Sequence, residues 1–361
     1  MAHGARQTSD PADLAQPVSE SRPFVTIVMP ALNEQDYIAA AIDSVLPDET
    51  EVEYELLVMD GGSNDNTATI VRNLSASNSR IKLVVNEKRI QSCAVNKAAR
   101  IADPRSKYLV RADCHAVYPA NFVQSCAAAL RDTNAASVVV SMRTAGHTPL
   151  QQAIAAAQNS RLGNGAAAHR VSGRSRFVDH GHHAAFDRKI FLHLGGYDEN
   201  FSVNEDAELD IRLIEKNLNI YLAAEAEITY FPRRTLTGLA RQYFNFGSGR
   251  ARTILKHRRM PKLRQLAPLV ILVSCGAALM LAPLKPHVLA VPLTYALLCL
   301  VWGAGLAAKE RAPHLVMAGA VAMVMHLSWA AGVLVFAIKT KLVTPGWSSQ
   351  RRAKPSEYVR R

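Results

Sequence analysis

YELLVMDGGSNDNT, residues 54–67, decides how the first two thirds of this chain fold. Its apolar run is continuous rather than alternating, as in a strand buried on both faces of a parallel sheet. Asp60 closes the run, Gly61-Gly62 make a tight turn, and Asp65 or Asn66 can cap a helix over Asn66–Leu74. The same grammar recurs on both sides. FVTIVMPAL (24–32) reads as a strand ended by Pro30, and Tyr37, Ile38, Ala41, Ile42 and Val45 follow at helical spacing. IKLVV (81–85), YLVRAD (108–113) and SVVVSM (137–142) are further strands, with helices SCAVNKAARIA (92–102) and NFVQSCAAAL (121–130) between them. Alternation at this spacing predicts an α/β fold with a mostly parallel, doubly wound sheet.

Ligands of such sheets bind beyond the carboxyl ends of the strands. Those ends read Pro30-Ala31-Leu32-Asn33-Glu34, Asp60-Gly61-Gly62-Ser63-Asn64-Asp65 and Arg111-Ala112-Asp113-Cys114-His115. No G-x-G-x-x-G or G-K-[ST] loop is present, which disfavours a dinucleotide oxidoreductase or a P-loop ATPase. The turn does not account for Asp60, a carboxylate able to accept hydrogen bonds from a base or sugar. Asp113 stands six residues before Pro119, too early to cap the helix beyond it. Asp113 and His115 at a strand end can turn toward one ion, and an oxygen with an imidazole suits Mn²⁺ or Mg²⁺ beside a diphosphate. At this level a metal site and an accident of composition both stay open. Cys114 points the other way, as packing. In GGYDENFSVNEDAELDIRLIEKN (195–217), Asn204 can cap a helix whose first turn holds Glu205, Asp206 and Glu208. The helix dipole explains some acid but not this density. Leu209, Leu213 and Ile214 anchor the helix, so a carboxylate at its start can serve as a general base.

From Leu266 to Ile338 the composition changes to Leu, Val, Ala, Met and Gly. Leu266–Ala282, Val288–Ala308 and His314–Ile338 are each near the length a bilayer requires, and their uniformity favours a membrane over a buried helical core. Three full crossings from a basic cytoplasmic flank would place the tail, with its seven Lys or Arg, outside, against the positive-inside tendency. Leu266–Ala282, bracketed by Pro268 and Pro283, is therefore the candidate for a shallow or re-entrant segment. The net charge of +12 is concentrated in Pro232–Gln265, which carries ten Lys or Arg and no acid. Lying against an apolar stretch, such a run suits anionic membrane lipids rather than nucleic acid. The five cysteines lack ligand-pair spacing and read as free thiols of a reducing compartment. The expected division is a disordered leader without an apolar signal core (1–22), a catalytic domain (23–232), a basic amphipathic juxtamembrane segment (233–265), two to three transmembrane helices (266–338) and a basic tail (339–361).

VTIVMPALNE, VMDGGSNDNT, an Asp-x-His at a strand end, GGYDE with NEDAELDIRL, and RQYFNFGSGRAR before apolar helices together resemble the family 2 glycosyltransferases of the GT-A fold. The resemblance covers roughly residues 24–260, and DHGHHAAF with FSVNEDAELD is most similar to bacterial enzymes of succinoglycan type, which extend a lipid-linked sugar. The resemblance implies that Pro30, Asn33, Glu34 and Asp60 line the nucleotide pocket of a UDP-hexose donor, with Asp60 on uracil and Arg89 approaching the phosphates. It implies that Asp113 and His115 stand where the family has its Asp-x-Asp metal motif, holding Mg²⁺ or Mn²⁺, and that Asp206 is the catalytic base. Gln242, Tyr243, Arg250 and Arg252 occupy the place of the family's late Gln/Arg-rich motif. FNFGSG is not the Gln-x-x-Arg-Trp of processive synthases, which argues for single sugar addition. The histidines of DHGHH (180, 182, 183) either shape an acceptor pocket or form a hydrogen-bonded polar loop. The acceptor implied is a polyprenyl-diphosphate-linked saccharide at the bacterial inner membrane, with the catalytic domain in the cytoplasm. A processive synthase and a non-catalytic nucleotide-sugar or lipid-binding protein are the rival readings.

Overall fold

The computed structural model describes residues 22–164 and 173–340. The expected leader before Arg22 and the basic tail beyond Thr340 lie outside the described residues. The order of elements is β1 (Phe24–Ala31), α1 (Ile38–Val45), β2 (Glu53–Asp60), α2 (Thr67–Ser77), β3 (Ile81–Val85), α3 (Gln91–Ile101), β4 (Tyr108–Arg111), β5 (Ala116–Val117), α4 (Phe122–Thr133) and β6 (Ser137–Thr144). There follow α5 (Pro149–Asn159), α6 (Arg161–Asn164), β7 (Arg176–Val178), β8 (His182–Asp187), α7 (Arg188–His193), α8 (Glu205–Glu215), β9 (Ile220–Tyr230) and α9 (Leu236–Lys256). Three apolar helices close the described chain: α10 (Leu263–Leu281), α11 (Ala290–Lys309) and α12 (Met317–Lys339).

The sheet runs β3-β2-β1-β4-β8-β6-β9-β5, with β7 also on β9. β3, β2, β1 and β4 are mutually parallel, β8 is antiparallel to β4 and β6, and β6 is parallel to β9. The sheet is thus mostly parallel with antiparallel insertions. Pro30 does not end β1 but pairs with Met59 inside it. Both faces of β1 are covered: Val25, Ile27 and Met29 pack with α1 and α4, and Val28 packs with α3 on the other side. Double coverage is why β1 and β2 read as unbroken apolar runs. Thr26, the polar exception in β1, donates to Glu55 Oε1 at 2.9 Å.

Asp65, not Asn66, starts α2: its Oδ1 accepts from Thr67 N at 2.9 Å, while the Asn66 side chain makes no capping bond. Asn204 likewise does not cap α8, because it lies in the left-handed region at φ 61° and its side-chain amide donates to Phe246 O at 3.2 Å.

The basic segment is mainly the helix α9, and half of its cations, though exposed, reach acids or a carbonyl of the α/β part. Lys256 bonds Asp198 and Glu208, Arg259 bonds Glu215, Lys262 bonds Asp179, Arg234 bonds Asp36, and Arg252 donates to the Asn200 carbonyl. Helix α9 also lies along α12. A Cβ on Gly332 would stand 2.0 Å from Phe244 O and one on Gly247 2.0 Å from Trp329 O, so both glycines are required by backbone approach. Leu239 of α9, Ala153, Ile154 and Ala157 of α5, and Ala318, Val321 and Met325 of α12 form one core cluster. A Gly332→Ala chain should force these helices apart at a cost of about 1–3 kcal/mol. This is expected to lower the thermal unfolding midpoint of detergent-solubilised protein, and an unchanged midpoint would show that the contact is not close in solution.

Helix α10 is continuous through Pro268, without the break a re-entrant segment needs. It is as eligible to cross a bilayer as the other two spans, Pro286–Lys309 and Pro313–Lys339, each long and apolar enough by length and composition.

Candidate active site

A cleft of about 630 Å³ opens beyond the carboxyl ends of β1 and β4 and is closed on its far side by α8 and α9. Pro30, Glu34, Asp113, His115, Asp206, Gln242 and Tyr243, all singled out in the sequence, line it. Gln91, Arg111, His182, Glu205, Arg233 and Arg241 line it as well.

Asp113 follows β4, where a turn from Asp113 to Ala116 swings the chain out of the strand. Its Oδ1 accepts from Gln91 Nε2 at 3.0 Å and faces Arg111 Nε at 3.5 Å, and its Oδ2 lies 3.5 Å from His182 Nε2. Burial disfavours the Asp113 charge, but the Arg111 guanidinium and His182 outweigh it and hold the carboxyl well below the usual range. His115 is turned elsewhere. Its Nε2 stands 3.0 Å from Glu34 Oε2 and its ring packs on Tyr37, centroids 4.6 Å apart. Among the described residues no three His, Cys, Asp or Glu side chains converge as a closed metal cage. A Mg²⁺ or Mn²⁺ site of the open kind needs only one or two protein donors, because diphosphate and water complete it. One ionised carboxylate with an imidazole beside it fits that requirement.

Asp206, half-buried in the first turn of α8, accepts the Ala207 amide on Oδ1 at 2.7 Å. Burial opposes its charge, yet His180, His183 and Arg111 hold it below the ordinary aspartate value, so it is ionised at neutral pH. Its neighbour Glu205 behaves oppositely. Burial raises it to about 7, with Arg111 at 3.3 Å resisting and the Asp206 charge adding to the rise. Arg111, itself buried, thus bridges the Asp113 carboxylate and the start of α8, and it also donates to Tyr197 Oη at 3.2 Å. Tyr197 Oη meets His183 Nδ1 at 3.0 Å; Asp210 receives His183 at 2.7 Å and His180 at 2.6 Å. DHGHH therefore divides. His180 and His183 are structural partners of Asp210, and His182 alone faces the cleft. Glu208, the remaining acid of the first turn, is fully buried and takes Arg212, Lys256 and His257. That clamp accounts for the acid density the helix dipole left unexplained.

An acid whose folded value lies above its ordinary 4.5 binds extra protons in the folded state, so stability falls as pH rises from about 4.5 to about 7. Glu205→Gln is expected to flatten that slope in denaturant midpoints measured across the window, and an unaltered slope would assign it to another group.

The edge of the site around Asp60 is set by three loops. Gly61 N donates to Ala31 O at 2.8 Å and Asn64 N to Asn33 Oδ1 at 2.9 Å, tying the loop after β1 to the loop after β2. Arg89 lies beside Gly62, whose added Cβ would meet the guanidinium at 3.0 Å. The Asp60 carboxylate has a local use after all: Gly62 N, Ser63 N and Ser63 Oγ donate to it, the last at 2.6 Å. Asn33, Asp60 and Arg89 are thus gathered together, outside the lining of the main cleft. Gln242 donates to Tyr230 Oη at 3.3 Å, and its buried Oε1 at the cleft wall has no partner among the described residues. Arg250 is close enough to Asp206 and Asp210 to feel both charges, but it does not line the cleft. Arg252 is occupied elsewhere, with the Asn200 carbonyl and with the rings of Phe201 and Phe336, each 5.6 Å away.

Sequence reasoning gave no role to Arg111, Gln91 or Glu205. An arginine inside the apolar YLVRAD was a readable signal, because a buried guanidinium demands acids around it.

The profile of glycosyl transferase family 2 matches residues 26–195. The chain is 42% identical over 308 residues to the succinoglycan biosynthesis protein ExoA of Rhizobium meliloti (strain 1021), covering 85% of this chain and 92% of that protein. Over 64 residues (18% of this chain and 24% of the other) it is 48% identical to WfgD of Escherichia coli, a UDP-Glc:α-D-GlcNAc-diphosphoundecaprenol β-1,3-glucosyltransferase. Its architecture matches the mannosyltransferase PcManGT of Pyrobaculum calidifontis, solved with GDP-Man and Mn²⁺, at TM-score 0.55 and 19% identity, over 89% of this chain and 88% of that one. The fold is the Rossmann-like GT-A fold, and a likeness that runs through the cleft and on into the apolar helices makes this chain a member of glycosyl transferase family 2.

Proposed function

We propose that the chain transfers a single hexose, glucose foremost, from a UDP-sugar to a polyprenyl-diphosphate-linked saccharide, with inversion, during assembly of an exopolysaccharide repeat unit. One observation carries this reading: an ionised Asp206 and an ionised Asp113 share one cleft, with Arg111 between Asp113 and the Glu205 beside Asp206, and the wall of that cleft, α9, lies along the apolar helix α12. The named activity of WfgD favours glucose and a diphosphoundecaprenol-linked acceptor, and the name of ExoA favours exopolysaccharide assembly.

In this reading the UDP moiety lies over Asn33, Asp60 and Arg89, with its diphosphate toward Asp113. Asp113, with an imidazole beside it, would hold Mg²⁺ or Mn²⁺, which when bound neutralises charge on the departing diphosphate. Asp206 accepts the proton of the acceptor hydroxyl as that oxygen attacks the anomeric carbon. The bond from that carbon to the diphosphate oxygen breaks on the opposite face, so an α-linked donor gives a β-linkage. The orphan Gln242 Oε1 can receive a hydroxyl of the incoming sugar. Arg233 and Arg241, exposed at the cleft, offer charge to the acceptor's own diphosphate. Exposed Arg258 with Met260 and Leu263 meets anionic lipid on the cytoplasmic side of a bacterial inner membrane.

The test is transfer of label from a panel of UDP-sugars to lipid in membranes containing the protein, with EDTA and with added Mn²⁺ or Mg²⁺. One sugar should label a lipid-soluble product, and EDTA should abolish it. High-mass polymer would establish a processive synthase, and no transfer even to synthetic lipid-linked oligosaccharide would leave a binding protein.

A further inference from the structure

We infer that His182 on β8, and not His115, is the imidazole that shares a divalent cation with Asp113. The inference rests on the metal-dependent reading above and changes its ligand set. The reason begins in the sheet. β4 and β8 are antiparallel, with Tyr108 opposite Asp187, Leu109 opposite Phe186 and Val110 opposite Ala185. Continuing that register past the end of β4 brings Asp113 opposite His182. The side chains agree, His182 Nε2 lying 3.5 Å from Asp113 Oδ2 with both groups in the cleft.

The two oxygens of Asp113 have different surroundings. Oδ1 is engaged by Gln91 and faces Arg111, whereas Oδ2 is directed at His182. A separation of 3.5 Å is long for a hydrogen bond. It is close to the roughly 3 Å between neighbouring donors of a six-coordinate ion bound at about 2.1 Å. A shift of about half an ångström would let both atoms reach one cation, with diphosphate oxygens and water filling the other positions. No other hydrogen bond holds the His182 ring among the described residues.

The competing imidazoles are committed. His115 Nε2 is 3.0 Å from Glu34 Oε2, with its ring against Tyr37, and among the described residues no ion pair joins it to Asp113, whereas one joins His182 to Asp113. His180 and His183 both bond Asp210. The Asp-x-His loop thus supplies one ligand, and β8 supplies the next. His115 instead fixes Glu34 at the mouth of the cleft.

The experiment is pulsed electron paramagnetic resonance of Mn²⁺ bound to the full-length, detergent-solubilised chain in the presence of UDP, with Mn²⁺ affinity measured on the same samples. The wild type should show nitrogen coupling from one coordinated imidazole. His182→Gln should abolish that coupling and weaken Mn²⁺ by about tenfold or more, while His115→Gln should retain it. His182→Asn, which keeps an oxygen near the same place, should lose the nitrogen coupling with a smaller loss of affinity, and it serves if the Gln variant does not fold. Coupling that survives in both His182 variants, or vanishes in His115→Gln, would overturn the assignment. Bound Mn²⁺ without imidazole coupling would overturn it alone, leaving metal dependence standing; no Mn²⁺ bound with UDP would overturn both.

Discussion

Asp206→Asn should bind the nucleotide-sugar donor as the wild type does and turn over about 10² to 10⁴ times more slowly. The amide is nearly isosteric, and its oxygen can still accept the Ala207 amide that orients the side chain. It cannot take a proton from the acceptor hydroxyl, so the loss should fall on kcat and leave the donor Kd unchanged. The pH dependence follows from the same surroundings. Because His180, His183 and Arg111 hold Asp206 below the ordinary range against burial, the base stays charged as pH falls through neutrality, and its acid limb should appear only at or below ordinary carboxylate values. Wild-type turnover in the Asn variant, with donor bound, would remove Asp206 from the base role.

Arg111→Met should cost about 3–5 kcal/mol of stability, the range for breaking a buried ion pair from one side. Arg111 is only 6% exposed, and it stands between Asp113 and Glu205, so its loss leaves the Asp113 charge without its cation and pushes the Glu205 carboxyl further up. Pairing the change with Glu205→Gln should return part of the loss, because it removes one of the two stranded acids. Denaturant titrations of the two single variants and the double variant make the comparison. A single-variant loss under about 1 kcal/mol, or strict additivity, would mean that Arg111 does not bridge these groups.

Much of the catalytic fold was legible because its strands are covered on both faces. β1, β2, β3 and β6 begin within a residue of their apolar runs, and α1 to α4 fall where helical spacing placed them. β7, β8 and β9 were not assigned. β8 begins with two histidines that the sheet tolerates only because His183 is satisfied by Tyr197 and Asp210, a pairing that depends on contacts distant in sequence. The site was half legible for the same reason. Asp113 and Asp206 could be found as acids at element ends, where local geometry makes them conspicuous. Gln91, Glu205 and His182 acquire their place beside Asp113 and Arg111 only when β4, β8, α3 and α8 converge. The basic segment carries a second role that counting along the chain did not show: Lys256, Arg259 and Lys262 reach back to acids of the α/β part.

The most direct measurement is the anomeric configuration and length of the product formed by purified protein from UDP-α-glucose and a synthetic polyprenyl-diphosphate oligosaccharide, read by NMR coupling and mass. A product one hexose longer with a β-linkage is the expected result. An α-linkage, a ladder of longer products, or no transfer to any lipid-linked acceptor would contradict it.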